Sequence, residues 1–195
     1  MKKTDYSDGL LCGTAVKKRG GSMLSQIIGY IGTVVSLISV QQKKMINVLI
    51  LGIFCNLLSA SSNFLIGGFA GGCICLVALL QTVVSLLLER KQKSMPVWGV
   101  VIFIAAYIGI TALTYESWHD IFPCVGACMF ALAIIQKQSS RFRFFMVLNA
   151  ALWIVYELTL TPPNYAMAVT FGLQLISTVI GIIRLDILKK EETKS

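Results

Sequence analysis

Long, uninterrupted apolar runs make up most of the chain, and short polar or glycine-containing stretches separate them. Runs of this kind are typical of transmembrane helices, because about 20 helical residues cross the hydrocarbon core of a bilayer. Strands of a membrane barrel would instead alternate polar and apolar residues over about ten positions. The pattern therefore predicts an all-α integral membrane protein. Its predicted spans are residues 23–40, 45–66, 68–88, 96–113, 121–135, 144–160 and 165–183.

Two boundaries between predicted spans, the start of the fifth and the break between the second and third, depend on only a few residues. The fifth run is short for a span, so we expect it to begin at Trp118, since an interfacial tryptophan is a favourable edge residue. The second and third spans are separated only by the glycine-rich stretch 66–72. Gly68 and Gly72 within it form a GxxxG pattern, which indicates close helix packing either within one chain or between two copies.

Composition agrees with a membrane protein. The 195 residues are 56% hydrophobic and 13% charged, whereas soluble domains carry about 25% charged residues. This composition excludes a separate soluble catalytic domain. In a soluble protein the net charge of +8 would suggest nucleic acid. Here the basic residues are interpreted as topology signals that contact anionic lipid, so the lipid bilayer is the expected partner and nucleic acid is not.

The basic residues are distributed unevenly over the connections. The second, fourth and sixth connections carry no lysine or arginine, whereas the first, third and fifth and the C-terminal tail do. The positive-inside rule then predicts a cytoplasmic C-terminus and an outside N-terminus in a bacterial inner membrane. Lys17, Lys18 and Arg19 precede the first span and contradict this orientation. Either the number of spans is even, or residues 1–22 are a polar tail outside the native protein; we favour the second interpretation, with a start near Met23.

Polar residues indicate an internal repeat. Gly32 with Gly126 and Arg90 with Arg184 match at an offset of 94, and Asn56 with Asn149 and Gln81 with Gln174 match at 93. Two three-span units joined by one span have the same orientation in the membrane. We therefore predict seven transmembrane helices as two parallel three-helix repeats, a 3+1+3 plan. The predicted segments are the tail 1–22, the first repeat 23–91, the linker helix 92–117, the second repeat 118–186 and a charged cytoplasmic tail 187–195.

Three short sequence strings carry a resemblance to known membrane proteins. They are SQIIGYIG at 25–32, FPCVG at 122–126 and GIIR at 181–184. With the 3+1+3 plan, the chain resembles the sugar-transporting SWEET and PQ-loop superfamily, and more closely the YgjV-type bacterial inner-membrane proteins. That family begins almost directly with its first span, which agrees with a start near Met23.

The chain departs from the PQ-loop pattern at the position where those proteins bend a helix. Gln42 and Gln136 follow Gln41 and Ile135 instead of proline. Bending of the first and fifth spans would then have to occur at other residues. Glycine is a candidate for such a position, since it lacks a Cβ and has little helix propensity. The hinge candidates are Gly29, Gly32, Gly126 and Pro123.

Amide and aromatic side chains within the spans are the candidate substrate-binding residues. Hydrocarbon offers no partner to an amide, so each must face a cavity or another helix. Amides both donate and accept, which suits a neutral hydroxylated solute, and an aromatic ring can stack on a sugar or heterocycle. The alternative for each residue is interhelical packing. The candidates are Asn56, Gln81, Asn149, Trp153, Tyr156 and Gln174.

Ionisable residues give little support for catalysis. Glu157 lies near the end of its span, where we expect a solvated interfacial carboxylate, because a central one is costly. His119 is the single histidine, and no second histidine supports a metal site. We expect no metal, no cofactor and no enzymatic activity.

Two functions from different classes remain open. The first is a SWEET-like transporter or facilitator that moves a small neutral solute, such as a sugar or vitamin, by alternating access. The second is a non-transporting scaffold or accessory subunit, whose glycine-rich faces bind another protein or a second copy of the chain. Convergence of the polar residues on a central cavity favours the first function, and pairing of all of them within a closed bundle favours the second.

Overall fold

The computed structural model describes residues 7–40, 42, 45–93, 95–136 and 139–183, with side chains from Met23 onwards except at 40, 45, 139, 140 and 142. These ranges form α-helices joined by short connections, and a 3₁₀ turn at Trp118–Asp120 precedes the fifth helix. The predicted all-α class is confirmed. The described helices are α1 (Ser7–Val40), α2 (Met45–Ile66), α3 (Phe69–Arg90), α4 (Val97–Thr114), α5 (Ile121–Ile134), α6 (Ser139–Thr159) and α7 (Tyr165–Ile182).

Two helices begin earlier than the hydropathy pattern predicts. Helix α1 starts at Ser7 and continues through the polar segment before Met23, and α6 starts at Ser139, ahead of its first apolar residues. Lysine and arginine are good helix formers, so a helix extends beyond its apolar part without breaking. Hydropathy marks the part of a helix that tolerates lipid, and the helix itself is longer.

Length and composition identify four candidate membrane spans among the described residues. They are Ile46–Ile66, Phe69–Arg90, Val97–Thr114 and Tyr165–Ile182. Two shorter apolar helices cover Met23–Ser39 and Trp118–Ile134, and the second of these begins at the predicted tryptophan. Helix α6 is in neither group, and Arg141 and Arg143 lie in its first turns.

The connection between α2 and α3 is a two-residue turn at Gly67 and Gly68. Gly67 has a φ of +87°, a left-handed conformation that glycine adopts without a Cβ clash. The Gly68 amide donates to the carbonyl oxygen of Asn63 at 2.9 Å and so satisfies a carbonyl at the end of α2. The predicted break between the second and third apolar runs is confirmed.

Six of the helices form a closed ring. Each packs on its neighbours in the order α1, α2, α3, α5, α6, α7, and α7 packs against α1 to close the ring. Helix α4 lies outside the ring and contacts α3 and α5. The ring therefore has an interior, which α4 does not reach.

Apolar residues cover the outside of the helices, and several polar residues lie inside. Leu113 is 84% exposed and Trp98 69%, whereas Ser62, Asn63 and Glu157 are fully buried. Lipid solvates apolar side chains as well as a protein interior does, so membrane bundles use polar and small residues between their helices. This distribution is expected of a chain that lies in a bilayer.

Candidate functional site

A chamber of about 140 Å³ lies inside the six-helix ring. Every ring helix contributes to its wall, and α4 contributes nothing. On this scale one water molecule needs about 10–15 Å³, so the chamber is large enough for a small solute. Representative lining residues, one from each ring helix, are Gly32, Asn56, Ala78, Phe130, Asn149 and Gln174.

A wider vestibule of about 570 Å³ shares Ser36, Asn56 and Gln174 with the chamber. It continues to Glu89 and to the exposed Lys93, beyond the end of α3. The chamber is thus continuous with the end of the ring at which the third connection carries its basic residues.

Four of the six predicted substrate-binding residues line the chamber: Asn56, Asn149, Trp153 and Gln174. Asn149 is 5% exposed, and its Oδ1 has no hydrogen-bond partner among the described residues. Asn56 uses its Nδ2 to donate to Thr82 Oγ1 at 3.1 Å. The chamber therefore contains at least one buried acceptor that is free to receive a donor.

The aromatic part of the wall is held by close contact between α5 and α6. Trp153 stacks on Phe171, with ring centroids 5.2 Å apart and planes inclined by 13°. A Cβ added to Gly126 would lie 3.1 Å from Trp153 Cδ1 and 3.3 Å from Asn149 Oδ1. Gly126 therefore lets α5 approach the two candidate residues on α6.

Gln81 and Tyr156 do not line the chamber. Gln81 is fully buried, and its Oε1 accepts a 2.5 Å hydrogen bond from the Tyr107 hydroxyl of α4. Tyr156 accepts a 3.0 Å hydrogen bond from the backbone amide of Gly71, one of the free amides in the first turn of α3. In this structure both side chains connect helices to each other.

Buried polar side chains close the end of the ring opposite the vestibule. The Ser25 and Ser62 hydroxyl oxygens are 2.8 Å apart, and Asn164 Nδ2 donates to Ser62 Oγ at 3.0 Å. Asn63 Nδ2 donates to Glu157 Oε1 at 3.1 Å. These contacts join α1, α2, α6 and the start of α7. We call this group the polar seal; its residues are Ser25, Ser62, Asn63, Tyr156, Glu157 and Asn164.

The expectation of a solvated Glu157 is wrong, since the side chain is 0% exposed. Its helix end is covered by α2 and by the α6–α7 connection, where the Asn164 amide donates to the Glu157 carbonyl oxygen at 2.9 Å. Distance from a helix end along the sequence does not reveal such a cover. The sequence analysis also missed Asn63, although it precedes Glu157 by 94 residues, the offset of the predicted repeat.

The hinge candidates lie in uninterrupted helices. A Cβ on Gly29 would lie 2.7 Å from the Ala166 Cβ, and one on Gly32 would lie 3.7 Å from the Leu58 Cβ. Pro123 occupies the first turn of α5, where a missing amide hydrogen costs little. In this structure Gly29 and Gly126 allow close helix contact, and bending at these positions stays a prediction.

The GxxxG pattern packs within the chain. A Cβ on Gly68 would lie 2.9 Å from the Tyr156 hydroxyl oxygen, and one on Gly72 would lie 2.6 Å from Phe64 Cε1. Close contacts between α3 and its neighbours in the same molecule therefore account for both glycines.

His119 lies beside the polar seal. Its Nε2 is 3.8 Å from Asp120 Oδ1, and its ring centroid is 6.1 Å from that of Tyr156. Across the described part of the chain, no group of three or more histidine, cysteine, aspartate or glutamate side chains is arranged to hold a metal ion.

Comparison with known proteins assigns a family. The family model Imp-YgjV, described as a bacterial inner membrane protein, matches residues 23–189. No curated protein and no solved structure matches the chain. The match covers most of the sequence and includes every residue of the chamber and of the polar seal. The chain belongs to the Imp-YgjV family of bacterial inner membrane proteins.

Proposed function

We propose that this protein is a transporter or facilitator that carries a small neutral solute across the inner membrane by alternating access. The unpartnered Asn149 Oδ1 in the chamber is the observation that carries the proposal. A buried acceptor without a donor costs about 1–3 kcal/mol. A solute that donates a hydroxyl or N–H hydrogen to this oxygen removes that cost. The chamber therefore favours such a solute over one without a donor. The proposed role is not enzymatic.

The chemistry of the wall supports a neutral solute. Amide, hydroxyl, thiol and aromatic groups line the chamber, and none of the described residues in its wall is charged. The charged residues Glu89 and Lys93 lie in the outer part of the vestibule. A sugar or a vitamin with an uncharged heterocycle offers both hydroxyl groups for Asn56 and Asn149 and an apolar face for the aromatic wall.

The proposed architecture is the 3+1+3 plan of seven spans, with the N-terminus outside and the C-terminus in the cytoplasm. Within the ring, α1 packs on α2 and α2 on α3, and α5 packs on α6 and α6 on α7 in the same way. This equivalence supports two parallel repeats, with α4 as the linker that gives them the same orientation.

The two ends of the chamber support alternating access. The vestibule reaches the end that bears Arg90, Lys91 and Lys93, which the positive-inside rule assigns to the cytoplasm. The polar seal closes the other end. In this proposal the structure is the inward-open state, and an outward-open state requires the polar seal to separate.

A ligand screen tests the proposal. The purified protein in detergent is heated with individual sugars, nucleosides and vitamins, and Asn149→Leu is measured beside it. A solute at 100 times its Kd stabilises the folded state by about 2.7 kcal/mol. We expect a selective rise in Tm that Asn149→Leu abolishes. Asn47→Leu, which changes an exposed amide on α2, is the matched control and should keep the response.

Uptake into proteoliposomes then separates transport from binding. The solute that stabilises the protein should enter vesicles containing the wild-type chain and not those containing Asn149→Leu. Absence of any stabilising solute in the panel would contradict the proposed pocket and favour the scaffold function. Stabilisation without uptake would contradict transport.

A further inference from the structure

Glu157 is a carboxyl group in fully buried surroundings, one helical turn beyond the chamber. Trp153 precedes it by one turn of α6 and lines the chamber, and Ser59 stands in the same relation to Asn63 on α2. A turn of four residues rises about 6 Å. The Asn63–Glu157 pair thus lies directly behind the closed end of the chamber.

Each side chain of this pair has one oxygen atom without a hydrogen-bond partner among the described residues. Asn63 Nδ2 donates to Glu157 Oε1, and to the Ser59 carbonyl oxygen at 3.1 Å. Asn63 Oδ1 and Glu157 Oε2 are buried and have no partner among the described residues. When the carboxyl is ionised, both atoms are acceptors, so neither can donate a hydrogen bond to the other. A proton on Oε2 would turn one of these two acceptors into a donor. The side chain of Asn164 also lies close to Glu157 and donates its Nδ2 to Ser62 Oγ at 3.0 Å.

Among the side chains that the structure describes, no lysine or arginine lies beside Glu157 to balance a carboxylate. The basic side chains that the structure describes all lie at the opposite end of the ring: Arg90, Lys91, Lys93, Arg141 and Arg143. The other titratable groups around Glu157 are Tyr156, Cys75, His119 and Asp120. Asp120 accepts hydrogen bonds from the backbone amides of Glu116 and Ser117. A buried charge without a partner is strongly unfavourable.

We propose that Glu157 is a proton-binding site of the polar seal. The carboxyl carries a proton on Oε2 and shares it with Asn63 Oδ1 while the seal is closed. When the seal opens, water reaches the group, the O–H bond breaks, and the proton passes to water and leaves a solvated carboxylate. Closure requires the reverse transfer. Applied to solute movement, which rests on the proposed function, this site makes the protein a proton-coupled carrier.

Proton linkage to folding tests the site without any solute. A group protonated in the folded state and ionised in the unfolded state lowers stability as pH rises, because the folded state then binds more protons. Glu157→Gln replaces the carboxyl by an amide that can form the same two hydrogen bonds without titrating. We expect the Tm of the parent protein to fall relative to Glu157→Gln as the pH rises above about 5, where an exposed glutamate is ionised.

Two controls isolate Glu157 in this experiment. Histidine changes charge in the same pH range, so every variant is built on His119→Gln. Glu116→Gln removes an exposed carboxyl near the same end of the ring and should keep the pH profile of the parent. Identical profiles for the parent and for Glu157→Gln would overturn the proton site.

Infrared spectroscopy gives a readout that does not require a stable Glu157→Gln protein. The folded parent, with isotope-labelled glutamate, should show the carbonyl stretch of a protonated carboxylic acid at neutral pH. Asn63→Leu removes the proposed acceptor and should shift that band. A parent protein in which all labelled glutamate absorbs as carboxylate would overturn the proposal.

Uptake measurements test the coupling separately. Proteoliposomes are given the solute identified by stabilisation, with and without an inward-directed proton gradient. We expect the gradient to accelerate uptake by the parent and to have no effect on Glu157→Gln. Uptake that ignores the gradient in the parent would overturn coupling while leaving the carrier intact. Absence of uptake in every condition would overturn the proposed function, whatever the infrared result.

Discussion

Asn63 Nδ2 and Glu157 Oε1 are 3.1 Å apart, although 94 residues separate the two side chains. The same offset aligns Gly32 with Gly126 in the repeat predicted from the sequence. When two units are related by an axis, equivalent residues approach each other only near that axis. In the proposed two-repeat architecture the pair lies near the axis between the units, so movement of one unit relative to the other would separate these two groups.

A double-mutant cycle on this pair should reveal strong coupling. Asn63→Leu leaves the buried carboxyl without its donor, and Glu157→Leu leaves a buried amide without its acceptor, so each should cost about 1–3 kcal/mol. Changing both to leucine removes both unsatisfied groups. We expect the double variant to be at least 1 kcal/mol more stable than the sum of the single effects predicts. Additive unfolding free energies in detergent would contradict the contact.

The contact between Gly71 and Tyr156 should not tolerate a methyl group. A Cβ on Gly71 would lie 2.5 Å from Tyr156 Cε1, so Gly71→Ala should lower stability by about 1–3 kcal/mol through overpacking. Gly109 of α4 has no atom within 4 Å of an added Cβ. Gly109→Ala is therefore the matched control and should leave stability equal or raise it by up to about 1 kcal/mol. Equal Tm values for the two variants would contradict the packing.

The hydrogen bond between Tyr107 and Gln81 should act on stability and not on solute binding. Tyr107→Phe removes the donor to a buried oxygen and should cost about 1–3 kcal/mol. Because the pair lies outside the chamber, the rise in Tm on adding solute should match that of the wild type. Tyr30→Phe, at an exposed position on α1, controls for loss of a hydroxyl group. A lost solute response in Tyr107→Phe would place Gln81 in the binding site.

Thiol labelling should distinguish the two ends of the ring. In a chain with its native cysteines replaced, Ser177→Cys faces the vestibule and Ser62→Cys lies in the polar seal. An impermeant maleimide should label Ser177→Cys in inside-out vesicles and leave Ser62→Cys unmodified from either side. Glu116→Cys reports the outer surface and should react only in spheroplasts. Labelling of Ser177→Cys in spheroplasts alone would reverse the proposed orientation.

The hydropathy pattern located the apolar helices closely and the polar contacts poorly. The second predicted span coincides with α2, because a run of apolar residues between charged or glycine-containing stretches has few alternative arrangements in lipid. Asn149 and Gln81 are both buried amides, yet only the first reaches the chamber. Their difference lies in which neighbouring helix each side chain faces, and the periodicity of a single helix does not specify its neighbours.

Glu157 shows a second limit of the same kind. The cost of a carboxylate in lipid led to the prediction of a solvated group near the end of the span, whereas Glu157 is fully buried. That argument did not indicate that Asn63 of α2 would supply an amide partner. The offset of 94 that aligns Gly32 with Gly126 also aligns Asn63 with Glu157, and this was the sequence signal for the contact.

Helix α4 makes the two junctions between the halves of the ring unequal. At the α3/α5 junction, α4 contacts both helices from outside the ring. At the α1/α7 junction no third helix does so among the described contacts, and the two helices meet directly. Their contacts include the close approach of Gly29 to Ala166 and the 2.5 Å hydrogen bond between Thr33 and Thr170. Widening of the ring at the α1/α7 junction would therefore separate two helices in direct contact, whereas at the α3/α5 junction a third helix, α4, contacts both. In the proposed carrier, α4 would therefore guide the two halves into a book-like swing, with α4 along the spine and α1 and α7 at the opening edges.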